Sequence, residues 1–356
     1  MKPRFLLAAG VVLMLAFVLF LGTAAAQPAN PCDPQFVARN GNIIRVRPTG
    51  VDDTANLQCA IDLAIAKNPG KTVLLMPGTF HTAQLVANDF HGTFRGSGMH
   101  RTVIVNLPDL YVTPLDYYLY PPSADNPIPV LISFVDGDIK VSNLTIRVAG
   151  QAPTLGWSQW DWPTWYELVA AIAFYGEEAH AQISHVWVEG EPSDTSIFDY
   201  NLFNGIMPTG FMGESLPPLA GTFKITHSTF KRVGSGTPFG QLRNATVVLS
   251  HNTYEEVQEA VDGSDFSDTR ITIYNNRIDA SVVGLWFYPW INPAIQNTDL
   301  IIRNNTIKGP VGISLHQPMD EASTCLIQRN RLQWITDTPI FLDAGTEACV
   351  LKNNKE

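Results

Sequence analysis

One asparagine recurs through the second half of this chain at near-constant spacing: Asn252, Asn276, Asn305, Asn330 and Asn354, at intervals of 24, 29, 25 and 24 residues. Each closes a similar phrase, such as Val247-Val248-Leu249-Ser250-His251-Asn252, Ile271-Thr272-Ile273-Tyr274-Asn275-Asn276 and Cys325-Leu326-Ile327-Gln328-Arg329-Asn330. Self-similarity at 20 to 50 residues is the mark of a repeat architecture. Each phrase alternates apolar and polar and then meets a polar corner, which reads as a short strand entering a turn. The expected fold is therefore all-β, a coiled stack of parallel strands with about ten coils. Asn suits such a corner because it tolerates left-handed backbone and bonds local backbone groups. Stacked about 4.8 Å apart, the amides can also bond one another as a ladder.

Extended backwards, the register places Asn143-Leu144, His185-Val186 and His227-Ser228 at the same corner. The two intervals between them are each 42 residues, one coil plus an insertion. Insertions, at about 150–168 and 191–220, fall on one face of a solenoid, often the binding face. Near the start, Asp53 or Thr54 serves as N-cap of an amphipathic helix, with Leu57, Ala60, Ile61 and Ala64 on one side. Such a helix, in a cap over about 45–70, would cover the open end of the stack.

At Gly50-Val51-Asp52-Asp53-Thr54, Gly70 to Phe80 and Arg95-Gly96-Ser97-Gly98, with the coil repeat after them, the chain resembles the pectate-lyase-like superfamily. The likeness covers about 45–356 and implies a single right-handed parallel β-helix domain over 27–356. It implies lyases, hydrolases, epimerases and non-catalytic surface proteins alike. The Asn-Thr-Asp, Asp-Asp, Gly-His-Gly and Arg-Ile-Lys series of polygalacturonases is missing, as is the Asp-Pro-His-Asp motif of mannuronan epimerases. Candidate residues come instead from chemistry and facing.

Lys2 and Arg4, an apolar run from Phe5 to Leu21, and Ala24-Ala25-Ala26 read as a signal peptide over 1–26, with an uncleaved anchor as the alternative. The mature chain carries 21 basic against 33 acidic residues and is expected to be secreted or periplasmic, monomeric, without stable membrane insertion and without affinity for nucleic acid. Export permits disulfides. Cys325 and Cys349 share a register position on adjacent coils, close enough for a bridge or for two packed thiols. Cys32 and Cys59 form the natural second pair.

Each coil has a second strand phrased G-I-x-L-x, as in Gly284-Leu285-Trp286-Phe287-Tyr288 and Gly312-Ile313-Ser314-Leu315-His316. Alternation turns the x positions outward. Asp262, Trp286 with Tyr288, Ser314 with His316, and Phe341 with Asp343 should then line one outer face. Asp262 is a candidate acid or base, Tyr288 and His316 candidate proton-transfer partners, and Arg243 a candidate charge neutraliser, with Arg232 second. As a lone His on that strand, His316 reads first as a plain surface residue and second as a proton shuttle. The cluster Asp262, Asp265 and Asp268 is either a base, a weak calcium site, or a set of turn residues. Trp157, Trp160, Trp162 and Trp165 in the first insertion, with Trp286 and Trp290, are candidate sugar platforms, or else a small core for the loop itself. Glu167, Glu177 and Glu178 are further acid candidates. The expected activity is cleavage of a polysaccharide by a lyase or glycoside hydrolase; the alternative is a non-catalytic glycan-binding scaffold.

Overall fold

The computed structural model describes residues 32–66, 70–107, 130–150, 168–192, 200–209, 218–289, 295–346 and 349–356. It is all-β apart from one helix among the described residues. After an antiparallel pair, Val37–Asn40 with Ile43–Val46, every named strand pairing is parallel. One ladder runs unbroken from Ile43–Val46 through Lys71–Leu75 and the repeat strands Arg270–Tyr274, Asp299–Arg303 and Thr324–Gln328 to Cys349–Lys352. Each strand thus lies against its equivalent one repeat later, about 4.8 Å away. Alternate residues of these strands are fully buried, among them Ile271, Ile273, Leu300, Ile302 and Ile327. Phe134 and Phe174 stack inside at 5.5 Å, and Phe230 and Tyr254 at 4.9 Å. The interior is a column of apolar and aromatic side chains that no single layer could bury alone.

The asparagine ladder forms, and its division of labour differs from the sequence expectation. The left-handed residue is the one before the ladder Asn: His251, Asn275, Asn304, Arg329 and Asn353 all have φ between 53° and 56°. Asn143, His185 and His227 hold the same conformation, and His185, His227 and His251 stack with rings 5.3 and 4.9 Å apart. The following Asn turns inward, buried at Asn252, Asn276, Asn305 and Asn330 and partly buried at Asn354 in the last layer. Asn305 Nδ2 donates to Asn330 Oδ1 at 3.0 Å and to the Ile273 carbonyl at 3.0 Å, while its Oδ1 accepts from the Asn276 backbone N–H at 2.9 Å and Asn276 Nδ2 at 3.0 Å. A corner that would otherwise bury unpaired backbone groups is thereby satisfied.

The helix, α1 (Thr54–Ile65), buries Leu57, Cys59, Ala60, Ile61 and Ala64. Asp53 stands at its N-cap position without capping it: the buried carboxylate accepts from the Thr49 and His81 backbone N–H groups at 2.6 and 2.9 Å. Both disulfides are present. Cys32–Cys59 ties the leading segment to α1, and Cys325–Cys349 joins in-register residues of adjacent layers with Cα atoms 4.3 Å apart. No helix among the described residues is long and apolar enough to cross a membrane. The signal segment 1–26 and the Trp157–Trp165 loop lie outside the described residues. Within 191–220, Leu202–Pro208 forms a strand in parallel register with Leu168–Phe174, so that stretch contains a layer of the stack.

Candidate active site

The outer face expected from the G-I-x-L-x phrase exists. Pro238, Asp262, Trp286, Ser314 and Phe341 occupy one register line in successive layers. Two residues along, backbone bonds from Tyr288 to Gly263, His316 to Phe287 and Asp343 to Leu315 place Tyr288, His316 and Asp343 on a second line. Their alternation partners Val261, Leu285, Ile313, Phe287 and Leu315 are buried, which fixes the orientation.

A bend brings a further carboxylate onto this face. Ser235, Glu259, Val283, Val311 and Thr338 form a third line. Between Glu259 and Asp262 two successive residues, Ala260 and Val261, are both fully buried. Alternation is broken there, so residues three apart flank one corner. Glycine recurs at the inner corner because there is no room: a Cβ on Gly284 would sit 2.4 Å from Ile307 Cγ2, and one on Gly236 2.4 Å from the Tyr254 ring. Ala260 is the layer that accommodates a methyl.

Glu259 and Asp262 both hold raised pKa values. Burial is the larger cause for both, pushing Glu259 up to about 8 and Asp262 up to about 7; the Asp262 charge adds to the effect on Glu259. The Tyr288 hydroxyl donates to the Asp262 carboxylate and opposes the rise there. Tyr288 is itself held strongly toward its neutral form by burial and by the charges of Asp262 and Glu259. The pair titrates as a unit and retains protons into the neutral range. Trp286 lies beside Tyr288, rings 4.5 Å apart and tilted by 32°, giving a partly exposed aromatic surface next to the acids.

Other expectations need correction. Arg243 does not reach Asp262: it sits in register with Ser267, with its Nε donating to Ser267 Oγ at 3.2 Å. Arg232 is engaged by Glu189. Asp265 and Asp268 have φ of 57° and 52° and make corners, and Asp268 accepts from Asn297 Nδ2 at 2.7 Å. The three aspartates do not gather as a cation cage, and among the described residues no group of three or more His, Cys, Asp or Glu is arranged to hold a metal. His316 binds Ser314 Oγ through Nε2 at 2.8 Å and stands 3.7 Å from Asp343 through Nδ1, one layer along from Tyr288. Trp157, Trp160, Trp162, Trp165, Trp290 and Glu167 lie outside the described residues.

Glu259 is a candidate residue that the strand pattern does not reveal, because strict alternation would point it away from Asp262; the consecutive apolar pair Ala260-Val261 is the available signal. A cleft of about 430 Å³ lies elsewhere, lined by Asp89, His91, Asp136, Asp138, Glu177, Glu178 and His180. His91 bridges Asp138 at 3.0 Å and Asp89 at 2.8 Å, and those bonds raise its pKa. Asp136 Oδ1 accepts from the Glu177 and Glu178 backbone N–H groups at 2.8 and 3.0 Å. His180 Nε2 also meets Glu178 Oε1 at 3.1 Å, so most of these side chains are engaged with one another.

No protein-family model and no curated protein matches the chain. Among solved structures it is similar to the polygalacturonase from Erwinia carotovora ssp. carotovora, 11% identical over 94% of this chain and 95% of that one, with a TM-score of 0.41. It is also similar to the Yersinia enterocolitica Family 28 exopolygalacturonase, 14% identical over 86% and 75%, TM-score 0.37. A third is the enzymatically active domain of the bacteriophage CBA120 tailspike protein 2, 10% identical over 91% of this chain and 50% of that one, TM-score 0.39. At such identities and scores, the fold rests on the strand pairing itself and the activity on the site.

Proposed function

We propose that this chain is a right-handed parallel β-helix enzyme that hydrolyses glycosidic bonds of a polysaccharide on its outer face. The observation that carries the reading is the Glu259–Asp262 pair, two carboxyl groups on one corner whose ionisation is suppressed into the neutral range. Glycoside hydrolysis uses two such groups, one donating a proton to the leaving oxygen and the other acting as base or nucleophile. A carboxyl group still protonated near neutral pH suits the donor role. Asp262, buried and bonded by Tyr288, is the better candidate for the ionised partner, leaving Glu259 as the donor. Trp286 offers a face for sugar stacking.

Hydrolysis is favoured over elimination by the position of Arg243. A lyase acting on a uronate needs a cation beside its base, and Arg243 stands instead at Ser267. Export through the segment 1–26, a monomeric state and a glycan partner belong to the same proposal; the two disulfides support an oxidising compartment. The test is a panel of neutral and acidic polysaccharides, followed for new reducing ends and for unsaturated-uronate absorbance. Reducing ends without absorbance, lost in Glu259→Gln and Asp262→Asn, support the reading. Absorbance would indicate a lyase. Binding without either signal, weakened by Trp286→Ala, would indicate a glycan-binding scaffold.

A further inference from the structure

Beside the carboxylate pair, the same face carries a second chemical device that glycosidic cleavage does not use. Ser314 and His316 are two residues apart on the strand Val311–Leu315 and its continuation, so their side chains leave the sheet on one side. Ser314 Oγ lies 2.8 Å from His316 Nε2. In the next layer Asp343 extends toward the other ring nitrogen, with Oδ2 3.7 Å from His316 Nδ1. The Asp343 carboxylate is steadied through Oδ1, which accepts from the Ala344 backbone N–H at 2.8 Å. The imidazole packs on Phe341, centroids 4.7 Å apart. A hydroxyl, a base within hydrogen-bond reach and a carboxylate behind the base are the parts of an activated serine nucleophile, recognised by geometry rather than by position in a chain.

We propose that Ser314, His316 and Asp343 form an esterase site that removes small acyl groups from sugar hydroxyls. Ser314 Oγ bonds to the acyl carbon while His316 Nε2 takes its proton. The bond from that carbon to the sugar oxygen breaks, and the oxygen leaves with the proton from His316. Water then repeats the sequence on the acyl-serine: its proton passes to His316 and on to Ser314 Oγ, releasing the free acid. The Asp343 charge, 3.7 Å from Nδ1, favours the proton on that nitrogen and leaves Nε2 free to accept. Size selection follows from burial. Ser314 is only 5% exposed and lies in register between Trp286 and Phe341, so a short acyl chain reaches Oγ and a long one does not. That the acyl carrier is a glycan rests on the function proposed above; the nucleophile itself does not.

The test treats the whole mature chain with a fluorophosphonate probe, which captures activated serines, and follows 4-nitrophenyl acetate hydrolysis in parallel. The expected result is a single adduct at Ser314 by peptide mass mapping. Ester hydrolysis should fall about 100-fold or more in Ser314→Ala. Asp343→Asn should lower the rate and shift the acidic limb of its pH profile, a change that a merely structural role would not produce. Reducing-end release from polysaccharide should persist in Ser314→Ala, so failure of the glycosidic reading and failure of this one remain distinguishable. A folded wild-type chain with no adduct at Ser314, or a Ser314→Ala variant as fast as wild type on the ester, would overturn the proposal.

Discussion

Replacing Asp262 with Asn should stabilise the protein above neutral pH and leave its stability unchanged in acid. In the unfolded chain Asp262 and Glu259 titrate near the ordinary side-chain values of 3.8 and 4.5; in the folded chain both are raised, Asp262 to about 7 and Glu259 to about 8. Between those limits the folded state holds protons that the unfolded state has released, so stability falls as pH rises from about 4 to about 8 and is level beyond. The shift of Asp262 alone bounds its cost at about 4 kcal/mol, at 1.36 kcal/mol per pH unit. Partial solvent access and coupling to Glu259 reduce this to about 2 kcal/mol. Asn keeps the shape and an acceptor for Tyr288, and removing the Asp262 charge also relieves Glu259. At pH 9 the variant should melt roughly 3 °C above wild type, and at pH 4 the two should coincide. Differential scanning calorimetry across that range decides it. A variant equal to or less stable than wild type at pH 9 refutes the claim that these carboxylates are held under electrostatic strain.

Further outcomes follow from the same geometry. Glycan hydrolysis should lose its alkaline limb in the neutral range, where Glu259 gives up its proton, and Glu259→Gln should lower kcat by about 100-fold or more with KM little changed. Trp286→Ala should instead raise KM, read from initial rates on oligosaccharides of increasing length. Asn305→Ala strips the buried Asn276 N–H of its acceptor and should cost about 3 kcal/mol, measured by denaturant unfolding, whereas Asn297→Ala on the exposed corner should cost far less. Reduction of Cys325–Cys349 should loosen the last layer, where Val350 and Leu351 are already about half exposed, seen as faster amide exchange in 349–352.

The strand stack was legible because the repeat wrote itself into the spacing of single residues. Asn252 to Asn354 gave the register, and one register gave both the Cys325–Cys349 bridge and the line Asp262–Trp286–Ser314–Phe341. Local conformation was less legible. The left-handed residue and the buried amide are neighbours in sequence, and a rule that allows Asn both roles cannot separate Asn275 from Asn276. Glu259 was hidden by a two-residue corner that breaks strand alternation. Arg243 was misplaced for the opposite reason: near Asp262 across adjacent layers, it lies five register positions further along its strand, and charge type says nothing of that distance. Ser314 was on the expected face, but its bond to His316 and the approach of Asp343 depend on rotamers that no pattern records.

The central claim is that the corner carrying Glu259 and Asp262 breaks glycosidic bonds. The most direct measurement incubates the mature protein, Glu259→Gln and Asp262→Asn with the polysaccharide panel near neutral pH and quantifies new reducing ends alongside absorbance of unsaturated products. The account predicts reducing ends from the wild type without unsaturated products, and loss of that signal in both variants while each still binds the glycan. A polysaccharide cleaved equally well by wild type and both variants would place the chemistry elsewhere on the molecule and contradict the account.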